Sequence, residues 1–224
     1  MKKILSSLIA LGFALHATAQ MAVIQDKDGY TNVRQEPNGT SKIIHKINDG
    51  EVIYIGEQTN NWTEVQFHPT ENGKFSEDLI RRGTVRGYVH HSRIRPLADI
   101  PKYTGNDCSF QMVVAPFSKE GKTLHYEGED ETYLDQINHD PFWGTPGKVP
   151  SFQVQALNIT ANGKKIEVPK QLLTDIYEVN QAHDCYKIGN TYIVYQQHGH
   201  GAAFYEICWV FDEDGLKQRV LGTR

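Results

Sequence analysis

The chain has 224 residues, with 23 Lys plus Arg against 27 Asp plus Glu and a formal net charge of −4. A mildly acidic chain lacks the positive field that general nucleic-acid binding requires, so we expect no nucleic-acid partner. The hydrophobic fraction of 39% is ordinary for a folded globular protein. Beyond the N-terminus no stretch is apolar for long enough to cross a bilayer, so we do not expect a membrane-spanning protein.

The N-terminus has the pattern of a secretory signal. Two lysines at positions 2–3 precede an apolar run over residues 4–15, which leads into small residues at 17–19. This order of charge, apolar core and small-residue cleavage site is typical of a signal peptide. No cysteine follows the run. We therefore expect a signal over residues 1–19, no lipid anchor, and a periplasmic or secreted protein.

Short apolar alternations separated by turn formers fill residues 20–97. Strands of this length and spacing predict a small barrel or sandwich. The predicted strands are 23–24, 30–33, 43–47, 52–55, 62–67 and 87–90. Turn formers interrupt the pattern at 28–29, 37–39, 48–50 and 60–61.

Several motifs in this half resemble those of the bacterial SH3-like (SH3b) domain. They are Asn32-Val33-Arg34, Pro37, Asp49-Gly50-Glu51-Val52, Asn61-Trp62-Thr63-Glu64-Val65 and Gly87-Tyr88-Val89-His90. The chain departs from the family at Thr31, Asn61 and Tyr88, where Leu, Gly and Trp are usual, and its connection at 68–86 is long. The resemblance implies an SH3-like barrel over residues 20–97 that binds a peptide, peptidoglycan or a protein partner.

Residues 98–106 are predicted to be a linker, and residues 107–224 a second domain. Turn signals in the second domain are typical of hairpins between neighbouring strands. They lie at Asn162-Gly163, Gly189-Asn190 and Asp214-Gly215. One helix is predicted to begin at Pro169, with an apolar face formed by Leu172, Leu173, Ile176 and Tyr177. The sequence thus predicts a mainly β protein, in which an SH3-like barrel precedes an antiparallel α+β domain with one helix.

Aromatic side chains are the candidate ligand-binding residues. In the SH3-like half, flat rings between loops suit an extended peptide, and the candidates are Tyr30, Tyr54, Trp62 and Tyr88. The alternative is that Trp62 and Tyr88 fill the interior of a small barrel. Phe142 and Trp143 lie in a loop between two prolines, and such a loop either packs on the domain core or contacts a partner.

The three cysteines all lie in the second domain. Cys208 is inside an apolar run that reads as a buried strand, so it is predicted to be a free core thiol. In an oxidising compartment Cys108 and Cys185 would then form a disulfide, which stabilises the fold by ~4 kcal/mol on a chain-entropy estimate. Connectivity cannot be deduced from sequence, so the pairing is a hypothesis.

Cys108 also has a catalytic interpretation. SH3b domains often precede papain-like cell-wall peptidases, and Asp107-Cys108-Ser109 resembles their nucleophile motif, with His198 or His200 as the base. The Gly that follows this motif in the family is Phe110 here, and Pro116 leaves no room for a long nucleophile helix. We therefore assign no catalytic residue and keep this set as the enzymatic alternative.

A metal site is the other chemical candidate. His198 and His200 would bind zinc or nickel if His183 or Asp184 converged on them. The alternative is a glycine-rich loop with exposed histidines, and no complete ligand set is visible. We expect no metal and no cofactor.

The C-terminal residues 199–209 resemble the tail of small secreted bacterial proteins, which include immunity proteins against antibacterial effectors. Our first hypothesis is therefore a secreted or periplasmic, non-catalytic binding protein. It would bind a peptide, peptidoglycan or a protein partner, and an inhibitor or immunity role fits this description. The alternatives are a cysteine-dependent peptidoglycan peptidase or amidase and a structural envelope scaffold.

Overall fold

The structure is a computed structural model that describes residues 21–70, 83–128, 130 and 132–223. The predicted signal at 1–19 lies outside the described residues, as do residues 71–82 of the long connection. The chain is mainly β, as predicted from the sequence.

The N-terminal part forms a seven-stranded antiparallel sheet. Its strands are β1 (Met21–Ile24), β2 (Tyr30–Arg34), β3 (Ile43–Asn48), β4 (Val52–Thr59), β5 (Trp62–Phe67), β6 (Val85–His90) and β7 (Ile94–Pro96). Their order in the sheet is β3-β2-β6-β5-β4-β1-β7. Alternate side chains from β1 to β6 share a buried core that includes Ala22, Val33, Ile53 and Val65. The six predicted strands are confirmed, because period-two alternation is the signature of strands with one face in a core.

Gly87 allows β6 to approach β2. A Cβ at this position would lie 2.6 Å from Val33 Cγ1 and 2.7 Å from the carbonyl oxygen of Arg34. The two strands pair where Arg34 lies opposite Tyr88. A side chain at residue 87 would separate them, so this glycine of the SH3b motif has a packing role.

The C-terminal part contains three further antiparallel sheets. Their strands are β8 (Cys108–Pro116), β9 (Leu124–Glu127), β10 (Tyr133–Ile137), β11 (Asp140–Pro141), β12 (Phe152–Ala161), β13 (Lys164–Ile166), β14 (Asp184–Ile188), β15 (Thr191–His198), β16 (Tyr205–Asp212) and β17 (Gly215–Gly222). The sheet orders are β13-β12-β8, β11-β10-β9 and β14-β15-β16-β17. The three predicted hairpin turns join β12 to β13, β14 to β15 and β16 to β17.

The predicted helix is wrong in extent and type. The chain forms a single 3-10 turn, Lys170–Leu173, and Pro169 precedes it with extended backbone at ψ 133°. Ile176 and Tyr177 then lie in extended chain that bridges Trp143 and Gln153. Both side chains are buried in the core, although the segment that carries them is not helical. Among the described residues, no helix is long and apolar enough to cross a membrane.

The four-stranded sheet β14–β17 is buried on both faces. On β16, Tyr205, Ile207 and Trp209 face a cluster with residues of β8 and β12. The alternate residues Cys208 and Val210 face a second cluster. That second cluster contains barrel residues, namely Met21, Val23, Val52 and Tyr54. The barrel therefore packs directly on this sheet through a shared apolar contact.

The predicted linker 98–106 packs onto the same sheet. A 3-10 turn, Leu97–Asp99, begins it, and Leu97 and Ile100 are buried in the contact with the barrel. Further along, the Tyr103 N–H donates a hydrogen bond of 2.7 Å to the Cys185 carbonyl oxygen. These contacts attach the first half of the connecting segment, as far as Tyr103.

Gln218 holds the barrel and the sheet together by hydrogen bonds across the contact. Its Oε1 accepts the N–H of Val52 at 2.8 Å, and its Nε2 donates to the Val52 carbonyl oxygen at 3.3 Å. The Tyr54 hydroxyl donates to the carbonyl oxygen of Thr223. The backbone N–H and the carbonyl oxygen of Val52 are both buried, so each requires a hydrogen-bond partner.

We expect Gln218→Ala to lower the free energy of unfolding by about 2–4 kcal/mol, because it leaves two buried backbone groups of Val52 unpaired. Urea unfolding followed by fluorescence measures this loss. Gln111→Ala, at an exposed strand position, is the matched control and should change the value by less than ~0.5 kcal/mol. Equal effects of the two substitutions would contradict the role of Gln218.

Candidate ligand-binding cleft

An open cleft of about 200 Å³ lies on the barrel. It is lined by side chains from β2, β5 and β6, from the turn after β1, and from the 3-10 turn before β7. The residues are Asp26, Asp28, Tyr30, Thr31, Asn32, Arg34, Trp62, His90 and Arg93. Two of the predicted ligand-binding residues, Tyr30 and Trp62, are therefore brought together here.

Aromatic rings form one wall of the cleft. Trp62 is half-buried and stands edge-on to His90, with ring centroids 5.5 Å apart. The Arg34 guanidinium lies over the Trp62 ring at 6.0 Å. Tyr30 is 40% exposed, and the Lys46 ammonium lies 4.1 Å from its ring centroid. The rings thus lie against cationic groups, which are placed over the faces of Trp62 and Tyr30.

Charged side chains in the cleft are held in place by hydrogen bonds. The buried Asp26 carboxylate accepts from Arg93 Nη1 at 3.0 Å and from the Asp28 N–H at 3.0 Å. Arg34 Nη1 donates to the Ser41 carbonyl oxygen at 2.6 Å. Each guanidinium has five N–H donors, so both keep donors for a bound group. The cleft combines two carboxylates with two guanidiniums and can bind groups of either sign.

Asn32 has an unused hydrogen-bond acceptor in this cleft. Its side-chain oxygen is buried and has no partner among the residues that the structure describes. A buried acceptor without a donor is costly. The atom is closed to solvent in the structure, so it lies beneath the surface of the cleft and offers no contact to a bound group.

The polar cleft residues were not predicted, although a signal was present. Along β2 the pattern of exposure alternates, with Thr31 and Val33 buried between Tyr30, Asn32 and Arg34. Residues two apart on a strand share a face. Tyr30 was predicted to bind a ligand. Asn32 and Arg34 follow it at two-residue intervals on the same face of β2, so they could have been predicted with it.

The other predicted aromatics lie elsewhere. Tyr54 is buried, and its ring occupies the space beside Gly222. Tyr88 is half-buried on β6, opposite Glu64 of β5. Neither lines the cleft, and Tyr54 instead joins the barrel to the four-stranded sheet.

The aromatic loop packs on the core of the C-terminal part. Phe142 contacts Tyr177 edge-on, with ring centroids 5.6 Å apart, and Trp143 packs against the larger apolar cluster. The Trp143 N–H donates to the Asp175 carbonyl oxygen at 2.7 Å, and its carbonyl accepts from the Tyr177 N–H at 2.9 Å. Of the two interpretations of this loop, these contacts favour attachment to the core.

The structure places Cys108 beside Cys185. Both thiols are free, and the Cys185 thiol donates to the Tyr186 carbonyl oxygen at 3.8 Å. The neighbouring Cys185 thiol and burial raise the pKa of Cys108. Cys108 begins a strand and not a helix, so it lacks the helix N-terminus that lowers the pKa of many catalytic thiols. The predicted disulfide is not formed in the structure.

The predicted histidines lie in unlike environments. His198 is fully buried, its Nδ1 accepts the Asn180 N–H at 3.2 Å, and burial lowers its pKa to about 4. His200 is exposed, His183 is exposed beside Phe110, and Asp184 pairs with a lysine ammonium at 2.8 Å. In the described ranges, no three His, Cys, Asp or Glu side chains converge as a metal site requires.

Comparison with known proteins agrees with the barrel. Residues 27–68 match the family model of the bacterial SH3 domain, and this range includes β2 to β5 and most of the residues that line the cleft. No curated protein and no solved structure matches the chain. The N-terminal part is thus an SH3b domain, and the resemblance of the C-terminal tail to small secreted proteins stays a prediction.

Burial of His198 predicts a pH dependence of stability. Its pKa is about 4 in the folded chain against an ordinary value of 6.5, so between these values the unfolded chain binds more protons. The free energy of unfolding should therefore fall as the pH is lowered through this window, by about 3 kcal/mol. Urea unfolding at about pH 7 and pH 4.5 measures the change.

The variant His198→Gln should remove most of this pH-dependent loss, since a neutral amide takes up no proton. His200→Gln, at the exposed neighbouring histidine, should leave the loss as in the unmodified chain. If His198→Gln and the unmodified chain lose the same free energy between the two pH values, His198 does not titrate as the burial requires.

Proposed function

We propose that the protein is a non-catalytic binding protein whose cleft holds a short peptide. The bacterial SH3 domain is a binding module, often related to the cell wall, and its match spans most of the cleft residues. The observation that carries the proposal is the cleft itself, in which the exposed Tyr30 ring and the half-buried Trp62 ring lie beside paired charged groups. Flat rings between loops suit an extended peptide.

The size and charge of the cleft favour a ligand with both an amine and a carboxylate. A volume of about 200 Å³ holds part of a short peptide and is too small for a polysaccharide strand. The ammonium of such a ligand suits Asp28, and its carboxylate suits the guanidiniums of Arg34 and Arg93. Stem peptides of peptidoglycan have both groups, so we infer that they are the first ligand to test.

The place of action is part of the proposal. The signal pattern at residues 1–19 supports export to the periplasm or the medium, where wall peptides are present. A protein partner that presents a similar peptide, including an effector that the chain would inhibit, is the second candidate. The same cleft residues would then contact that partner.

Substitution of each of the two aromatic rings in the cleft, Tyr30 and Trp62, tests the binding site. We expect Tyr30→Ala and Trp62→Ala each to weaken binding of a synthetic stem peptide at least about tenfold, since aromatic anchors carry much of the energy of such contacts. Isothermal titration calorimetry measures the affinity. Tyr133→Ala removes an aromatic that is 51% exposed outside the cleft and should leave the affinity unchanged.

A change in the ligand tests the proposed charge recognition. A stem peptide acetylated on its N-terminal amine and on the side-chain amine of its diamino acid lacks every ammonium group and should bind more weakly to the unmodified chain. If Tyr30→Ala, Trp62→Ala and Tyr133→Ala all bind like the unmodified chain, the cleft is not the site.

Zymography on purified peptidoglycan separates this proposal from the peptidase alternative. We expect no clearing by the unmodified chain or by Cys108→Ala, because the neighbour of Cys108 is a thiol and not an imidazole. Clearing that depends on Cys108 would overturn the binding proposal in favour of a cysteine peptidase or amidase.

A further inference from the structure

A cavity of about 400 Å³ lies in the C-terminal part, with about twice the volume of the barrel cleft. It opens between β13, an edge strand of the three-stranded sheet, and the turn that joins β16 to β17. Small-molecule sites typically measure about 300–1,000 Å³, so this cavity is large enough to hold a side chain or a small ligand. It shares no lining residue with the cleft.

The floor of the cavity is apolar. Leu172 is 1% exposed and belongs to the core cluster between the two sheets, and Leu216 packs against that cluster. Pro169, which precedes the 3-10 turn, is exposed and lines the same cavity. The core therefore reaches the surface here, where it can bury the methylene groups of a ligand.

Charged side chains form the rim, and carboxylates outnumber ammonium groups. The lining includes Glu167, Glu213 and Asp214 against the single cation of Lys165. The Lys165 ammonium lies 2.8 Å from Glu167 Oε1, so the charges of these two residues compensate each other. Lys164, beside the cavity, approaches Glu213 Oε1 only to 3.6 Å.

Asp214 supplies the uncompensated charge. Its N–H donates to Asp212 Oδ1 at 2.9 Å, which fixes the turn, and its carboxylate has no ion-pair partner within the part of the chain that the structure describes. Asp212 is itself paired with Lys217 at 3.1 Å. The cavity thus presents negative charge above an apolar floor, which suits a ligand with an aliphatic stem and a cationic end.

We propose that this cavity binds a lysine side chain of a protein partner, with its methylene stem over Leu172 and Leu216 and its ammonium beside Asp214. The side chains of Lys165 and Glu167 are 68% and 82% exposed, so the mouth is open to solvent. A lysine can enter while the backbone that carries it stays outside. Lysine buries its stem on apolar surface and keeps its charged end at a polar rim in this way.

An NMR titration of the ¹⁵N-labelled full chain with N-acetyl-lysine methylamide tests the site. We expect the amide resonances of Gly215 and Leu216 to shift and to saturate. The norleucine analogue has the apolar stem without the ammonium and should bind about threefold more weakly, as expected for an exposed ion pair. No shift at these amides, or equal binding of the norleucine analogue, would overturn the proposal.

A shorter ligand tests the apolar floor. The 2,4-diaminobutyrate analogue keeps the ammonium and has two methylenes fewer than lysine. It should bind at least about threefold more weakly, because each fully buried methylene contributes roughly a factor of four. An affinity equal to that of the lysine probe contradicts burial of the stem.

Substitution of the carboxylates tests the recognition of charge. Asp214→Asn and Glu213→Gln keep the size of each side chain, and each should weaken binding of the lysine probe about threefold. Glu120→Gln changes an exposed carboxylate outside the cavity and should leave the affinity unchanged. An unchanged Tm shows that the variants are folded. If the double variant Glu213→Gln/Asp214→Asn binds like Glu120→Gln, the rim does not recognise the ammonium.

The same titration separates this cavity from the barrel cleft, whose Asp28 can also accept an ammonium. The indole resonance of Trp62 reports on the cleft, and the amides of Gly215 and Leu216 report on the cavity. Shifts at Gly215 and Leu216 that persist in Tyr30→Ala support the separate site. Shifts confined to Trp62 would overturn it and leave the peptide-binding proposal intact.

Discussion

Burial of the four-stranded sheet on both faces is the constraint on which the rest of the fold depends. Its strands β15 and β16 are apolar at successive positions, so neither face can be left in water. The strands β8 and β12 cover one face, and the barrel strands β1 and β4 cover the other. The barrel and the C-terminal part consequently share one continuous packed structure.

This contact also determines which part of the barrel stays open. On β1 and β4, Ala22 and Ile53 point into the barrel, whereas Val23 and Val52 point to the sheet. Both faces of β1 and β4 are therefore buried, one in the barrel core and the other against the four-stranded sheet. The cleft residues come mainly from the strands β2, β5 and β6, which leaves their charged and aromatic side chains available to a ligand. The packing of the barrel thus orients the binding surface.

Much of the fold follows from local sequence. Period-two alternation predicted the barrel strands, and Asn-Gly, Gly-Asn and Asp-Gly turns predicted three hairpins, because both signals depend on neighbouring residues. The prediction of a helix after Pro169 was wrong for a physical reason. Leu172, Leu173, Ile176 and Tyr177 have helical spacing, but extended pairing of Tyr177 with Gln153 supplies the backbone partners that a helix would have supplied. Tertiary contacts override a short periodic signal.

The sequence by itself predicted a mainly β chain with an SH3-like barrel, and it named Tyr30 and Trp62 among four candidate ligand-binding rings without deciding whether Trp62 fills the interior. Only the tertiary structure decided that these rings meet Asn32 and Arg93 in one cleft. It also decided that Tyr54 is covered by Gly222 at the end of β17, and that its hydroxyl donates to the carbonyl oxygen of the following residue, Thr223. Burial of a side chain depends on which distant segment packs over it, and that partner is not encoded in the residues beside it.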